Sequence, residues 1–164
     1  MKQVIIKTKD FTLRPITLSK PDILGYLACH QDKDAKKNFS NAPKNYAEAK
    51  KEVKKNIIHP YLLVIEVNNR FAGFVHLELN NLVRYKHSAI LRYGLNKEFR
   101  GRGLATKATK VLSDYGFKKL KLVRITGWCR TFNKASAKVL KNAGFKLEGI
   151  LKKTSSRMEN ILMI

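Results

Sequence analysis

Apolar and polar residues alternate along Phe11-Thr12-Leu13-Arg14-Pro15, the period of a strand with one buried face. Ser19-Lys20-Pro21-Asp22 then offers an N-cap, a proline in the first turn and an acidic residue three positions after the cap. This predicts a helix over Pro21–His30 with Ile23, Leu24 and Leu27 on one face. After a polar loop, Asn45 is placed to cap a second helix running through Ile58, lysine-rich on its exposed side and poor in apolar anchors. Tyr61–Val67 and Phe71–Leu79 read as the arms of a hairpin joined by Asn68-Asn69-Arg70, because Asn tolerates the positive φ values of tight turns. Ala89–Leu95 reads as a strand. Leu104, Ala108, Val111, Leu112 and Tyr115 recur at three- and four-residue steps, which predicts a helix over Leu104–Leu120 whose stripe packs on a sheet. Val123–Cys129 is again strand-like, Lys134–Asn142 a short helix stopped by Gly144, and Phe145–Leu151 and Asn160–Ile164 the closing strands. The expected order is β-α-α-β-β-β-α-β-α-β-β, an α/β arrangement with helices on both faces of a sheet.

The 164 residues contain no Pro/Gly/Ser-rich linker, repeat or low-complexity run, so a single domain over 1–164 is expected. The apolar run at Val4-Ile5-Ile6 is too short for a signal peptide, and no stretch approaches the roughly 18 apolar residues of a membrane span. The expectation is a soluble, cytoplasmic chain without a membrane partner. Cys29 and Cys129 are the only cysteines and read as buried thiols, with neither a disulfide framework nor a metal site indicated.

Charge changes this picture most. Lys and Arg number 34 against 12 Asp and Glu, a formal net charge of +22. Such a field attracts polyanions and repels polycations. The lysines are spread from Lys33, Lys36 and Lys37 through Lys50, Lys51, Lys54 and Lys55 to Lys118, Lys119 and Lys121, which resembles a solvated surface more than one nucleic-acid groove. Docking onto an acidic partner such as a ribosome stays open.

Candidate chemistry concentrates in Arg100-Gly101-Arg102-Gly103-Leu104-Ala105-Thr106, where the strand pattern gives way to a helix pattern. A glycine-bearing turn that opens a helix presents free backbone N–H groups and the positive end of the macrodipole, a setting shaped for phosphates. Arg100 and Arg102 add positive charge, and Gly101 and Gly103 permit close approach of the backbone.

The form Arg100-x-x-Gly103-x-Ala105, followed by Asn133-Lys134-Ala135-Ser136 and by Gly144-Phe145-x-Leu147-x-Gly149, resembles the GNAT superfamily of N-acetyltransferases, in particular its RimJ/RimL-type branch. The resemblance covers nearly the whole chain. It implies a GNAT fold, with a mixed, mostly antiparallel central sheet of six to seven strands flanked by about four helices. It also implies acetyl-CoA as cosubstrate, with the pyrophosphate on Arg100, Gly101, Arg102, Gly103, Leu104, Ala105 and Thr106. Asn133 would contact the CoA arm, and Ser136 would lie near the sulfur and protonate the departing thiolate. The backbone N–H groups of about Leu91, Arg92 and Tyr93 would stabilise the oxyanion. Asn133 and Ser136 equally suit an ordinary helix cap.

The chain departs from the branch in two places, one of them at Leu151-Lys152-Lys153-Thr154-Ser155, which lacks the acidic residue that some relatives carry after the Leu-Lys of the next-to-last strand. Where relatives carry Ala-Glu-x-Gly-Tyr, it has Ala89-Ile90-Leu91-Arg92-Tyr93, so the acidic residue is missing and an arginine replaces the glycine. The remaining candidates for a general base are Glu78 and His76, two residues apart on one strand. A weak base favours acceptors that are already partly neutral: an α-amine titrates at about 7.7–8.0 and a lysine at about 10.4. The implied activity is therefore acetyl transfer to a primary amine, most simply a protein N-terminus such as that of a ribosomal protein, by direct attack on the thioester. Two alternatives stay open: a small-amine acetyltransferase, and a catalytically silent CoA-binding or RNA-docking module.

Overall fold

The computed structural model describes residues 4–39, 41–58, 60–80, 82, 86–155 and 158–164. Among the described residues, eight strands form one sheet in the order β1-β2-β3-β4-β5-β6-β8-β7, accompanied by five α-helices. The strands are β1 (Ile6–Lys7), β2 (Thr12–Pro15), β3 (Leu62–Val67), β4 (Arg70–Leu79), β5 (Ser88–Leu95), β6 (Arg124–Arg130), β7 (Leu147–Ser155) and β8 (Met158–Met163). The helices are α1 (Lys20–Gln31), α2 (Lys33–Asn38), α3 (Tyr46–Asn56), α4 (Leu104–Lys119) and α5 (Lys134–Asn142). The pairs β1–β2, β2–β3, β3–β4, β6–β8 and β7–β8 are antiparallel, and β5–β6 is parallel. This mostly antiparallel α/β fold carries slightly more strands and helices than expected. The additions are β1 and α2, each too short to leave a periodic signature: β1 has two residues, and α2 fills the polar loop with only Ala35 buried.

The chain forms two compact units, one of Met1–His76 with Tyr93–Leu104 and one of Leu77–Arg92 with Ala105–Ile164. In the first unit, α1 and α3 lay Ile23, Tyr26, Cys29, Ala49 and Val53 against Ile16, Leu62, Val64 and Phe74. Tyr26, Phe39 and Phe74 gather around His30 with centroids 4.5–5.4 Å from its ring, Phe74 stacked on it and the other two tilted. His30 Nδ1 donates to the Tyr26 carbonyl at 2.8 Å, and burial holds its pKa below the ordinary histidine value. Ser19 caps α1 as expected, but Leu24 points outward while Ile23 and Tyr26 face the core. Asp22 does not close a capping box. It binds Arg14 at 2.9 and 3.0 Å and Thr17 N at 2.7 Å, tying β2 to the start of α1. Burial opposes its ionisation, but those hydrogen bonds prevail and its pKa lies below the usual carboxylate value. The Asn68-Asn69 turn has φ of 49° and 58°, the left-handed pair a two-residue hairpin requires, so Arg70 already pairs with Val67 in β4.

In the second unit, Gly116 of α4 packs on Leu77, Leu122 and Ile125, and Gly127 of β6 on Leu140 of α5. The buried face of α4 includes Thr109 and Ser113 beside Ala108 and Leu112, whereas Val111 and Tyr115 lie at its margin. Helix α5 spans Lys134–Asn142 as predicted and ends before Gly144, whose φ of 103° reverses the chain after the last turn.

Candidate functional site

The loop that opens α4 is set up by a 3-10 turn, Lys97–Phe99, that the sequence pattern does not signal. Gly101 and Gly103 follow at φ of 76° and 72°, left-handed values that disfavour other L-residues, and a Cβ added at either would meet nothing within 4 Å. The glycines are thus demanded by backbone conformation, and the space beside them is open. The first backbone N–H groups of α4, from Leu104 through Ala105 and Thr106, have no intrahelical carbonyl to bind, and no acidic side chain occupies its first turn. These are the conditions for anion binding at a helix N-terminus, so the segment fits a phosphate group.

The two arginines of the loop behave differently. Arg100 is turned away from solvent-side chemistry: Nε and Nη2 donate to the Leu95 carbonyl at 3.0 and 2.9 Å, and Nη1 and Nη2 to Asp32 at 3.2 and 2.5 Å. That pairing holds the Asp32 carboxyl down at about 2. Arg102 is exposed, and its guanidinium carbon lies 5.9 Å from the Phe99 ring centroid. Arg70, paired with Glu98 at 2.6 Å, contacts the same ring at 5.1 Å. Of the two side-chain charges expected at a pyrophosphate, Arg102 is the one presented outward. Asp32, the partner of Arg100, is invisible to local pattern reading because it lies 68 positions away.

At the start of α5, Asn133 Oδ1 accepts from Ser136 N at 3.0 Å, so the capping role anticipated for this pair is realised. The half-buried Ser136 also hydrogen-bonds Cys129 of β6. Burial raises the Cys129 pKa, and the Ser136 bond partly offsets the rise. Both Cys29 and Cys129 are buried free thiols, as expected; burial also drives the Cys29 pKa upward. Cys129 is the neighbour of Ser136 that spacing alone does not suggest.

Leu91, Arg92 and Tyr93 lie on β5, with Leu91 buried and Arg92 exposed. His76 and Glu78 lie on β4, His76 buried and Glu78 half-buried. Glu78 accepts a hydrogen bond from Arg92 Nε at 2.9 Å. Asn80 N donates to Ser88 O at 3.0 Å, and two residues inward along each strand that register sets Glu78 across from Ile90. Glu78, Leu79, Asn80 and Ile90 line an open cleft of about 260 Å³. Among the described residues no group of three His, Cys, Asp or Glu side chains could hold a metal ion. No helix among them is long and apolar enough to cross a membrane.

Residues 10–146 match the family model described as an acetyltransferase (GNAT) domain. The chain belongs to the GNAT acetyltransferase family. Among its relatives, the probable N-acetyltransferase YjcK of Bacillus subtilis is 41% identical over 66 residues, 40% of this chain and 36% of that protein. The spermidine N(1)-acetyltransferase of Escherichia coli is 34% identical over 89 residues, 54% of this chain and 46% of that protein. The matched stretches thus span less than half the length of these curated relatives. The GNAT fold is also that of RimL, the ribosomal L7/L12 α-N-protein acetyltransferase solved with coenzyme A, at a TM-score of 0.85 and 22% identity over 98% of this chain and 96% of that one.

Proposed function

We infer that the chain is a single acetyltransferase domain that uses acetyl-CoA to acetylate a primary amine, most simply a protein N-terminal α-amine. The observation that carries this reading is the loop at α4: two glycines at positive φ with open space beside them, directly before a helix N-terminus free of carboxylates. Arg100 to Thr106 form the pyrophosphate segment, with backbone N–H groups and Arg102 as the donors and Arg100 as the strut that fixes the loop. Asn133 contacts the pantetheine arm while capping α5. Ser136 protonates the departing thiolate, and the N–H groups of Leu91 to Tyr93 receive the oxyanion.

The amine reacts by direct attack on the thioester. Nitrogen bonds the acetyl carbon, the C–S bond breaks, the amine proton leaves to a base or to water, and the thiolate takes a proton. Glu78, tied to Arg92, and the buried His76 are the candidate bases. With no carboxylate at position 90, the site suits an acceptor that is partly neutral near pH 7, which supports an α-amine over a lysine. A cytoplasmic setting goes with this reading, and the net charge of +22 supports docking there onto a polyanion such as a ribosome.

A second reading, acetylation of a small polyamine, is favoured by the likeness to the spermidine enzyme. Incubation with labelled acetyl-CoA and peptides bearing free N-termini and internal lysines, with spermidine alongside, tests both by locating the acetyl group. Label on α-amines is expected. Label confined to lysine or spermidine would overturn the N-terminal reading.

A further inference from the structure

We propose that Arg92 is a specificity-determining residue that favours acceptor amines carrying a nearby carboxylate, such as an N-terminus followed by an acidic residue, and disfavours polycationic amines. This rests on the acetyltransferase reading above.

Arg92 occupies the β5 position at which RimJ/RimL-type relatives carry glycine, so the chain adds a cation beside the backbone N–H groups assigned to the oxyanion. Its guanidinium is held by one edge: Nε donates to Glu78 Oε2 at 2.9 Å, and no described residue takes a hydrogen bond from either Nη. With 58% of the side chain exposed, the Nη edge is left to solvent. An arginine anchored through Nε keeps its planar orientation while offering two parallel N–H donors, the geometry that receives a carboxylate in bidentate fashion. Fixing the group beforehand also removes part of the rotamer entropy that a free arginine loses on binding.

The same contact alters the acidic side of the site. Glu78 is the carboxylate that, with Leu79, Asn80 and Ile90, lines the cleft, and its charge is balanced by Arg92. A polyamine entering there meets a neutralised carboxylate and an exposed cation. A peptide whose amine is followed by Asp or Glu meets a donor fork instead.

The test is kcat/KM for peptides identical except for Asp, Ala or Lys at the second residue, with spermidine alongside, in the wild type, Arg92→Gln and Arg92→Lys. The wild type is expected to prefer Asp over Lys by about fivefold at low salt, the size of an exposed ion pair, and to lose that preference as salt rises. Arg92→Gln should bring the ratio close to one, and Arg92→Lys should keep part of it, whereas a merely structural role would lower all peptides equally. A salt-independent wild-type ratio near one, an unchanged ratio in Arg92→Gln, or a preference for spermidine would overturn the proposal while acetyl transfer stands. If Arg92→Gln is inactive, Arg92→Lys decides, because the net charge of +22 alone gives the wild type a salt-dependent preference: a reduced ratio is expected, and an unchanged one would overturn the proposal. Absence of transfer to every acceptor would instead overturn the acetyltransferase reading, and the proposal with it.

Discussion

Arg100 and Asp32 form a two-point ion pair, Nη1 to Oδ1 at 3.2 Å and Nη2 to Oδ2 at 2.5 Å, between the glycine loop and the cap of α2. Asp32 Oδ1 also accepts from Asp34 N and Ala35 N, both at 3.0 Å. One carboxylate therefore starts a helix and anchors the residue that begins the loop. Arg100 in turn binds the carbonyl of Leu95, the last residue of β5, so strand end, loop and α2 cap share one network.

The pH dependence of that network has a definite sign. The Asp32 pKa falls from 3.8 to about 2 on folding, chiefly through the Arg100 hydrogen bonds. Its stabilisation is fully present above the unfolded value and is lost as pH falls through the folded one. Asp32→Asn keeps an oxygen for the α2 cap, removes the charge and puts an amide NH2 in place of the oxygen that accepts from Arg100 Nη2. Urea unfolding of both proteins should show a deficit for the variant at pH 7 that closes between about pH 4 and pH 2. A deficit that stays constant over that window would mean that the charge of Asp32 does not matter.

Asp22 should matter more, because its side chain is only 3% exposed and serves Arg14, the Thr17 amide and the Thr17 hydroxyl. Asp22→Ala leaves two donors and a cation facing a vacated site, at a cost of about 2–3 kcal/mol. Arg14 also binds Glu66 at 2.5 Å and is 27% exposed, which keeps the figure below that of a fully buried pair. Chemical denaturation of the variant measures it directly. A loss under about 0.5 kcal/mol, the range of ordinary surface changes, would show the network to be dispensable.

The parts of the fold that were legible from sequence are those set by local stereochemistry. Asn68-Asn69 announces a left-handed turn, Asn45 and Ser19 announce caps, and Gly144 announces the end of α5. What local reading could not supply depends on distant partners. The apolar Leu24 sits at a helical position outside the core, while Thr109 and Ser113 lie inside it. At the candidate site the glycine loop was legible because Gly101 and Gly103 answer to their own φ angles. The direction of Arg100 was not, because Asp32 decides it from 68 residues away. The Ser136–Cys129 and Arg92–Glu78 contacts were likewise beyond local patterns, since each joins side chains from two separate elements.

Replacing Gly103 tests the loop. Valine at a φ of 72° is strained by about 1–2 kcal/mol, yet a Cβ there meets nothing within 4 Å, so the variant is expected to fold with a modestly lower Tm. The side chain would project into the open space beside the loop and shift the backbone donors. Acetyl-CoA affinity by calorimetry should fall at least about tenfold, a change of 1.4 kcal/mol. Unchanged affinity in the folded variant would remove the pyrophosphate assignment from this segment.

Ser136 has a structural role in the α5 cap and a proposed role in the chemical step, and Ser136→Ala separates them. Its backbone N–H donates to Asn133 Oδ1, a bond the substitution preserves, so the α5 cap should survive. Its side chain hydrogen-bonds the Cys129 thiol, and loss of that one bond is worth about 1 kcal/mol of stability. If the hydroxyl also protonates the leaving sulfur, kcat should fall about 100-fold, the lower range for a lost general acid, while KM for acetyl-CoA stays within about twofold. Cys129→Ala removes the same hydrogen bond from the other side and keeps the hydroxyl, so its kcat should remain near that of the wild type. Equal rate losses in the two variants would assign Ser136 to packing, whereas a large loss confined to Ser136→Ala would assign it to the chemical step.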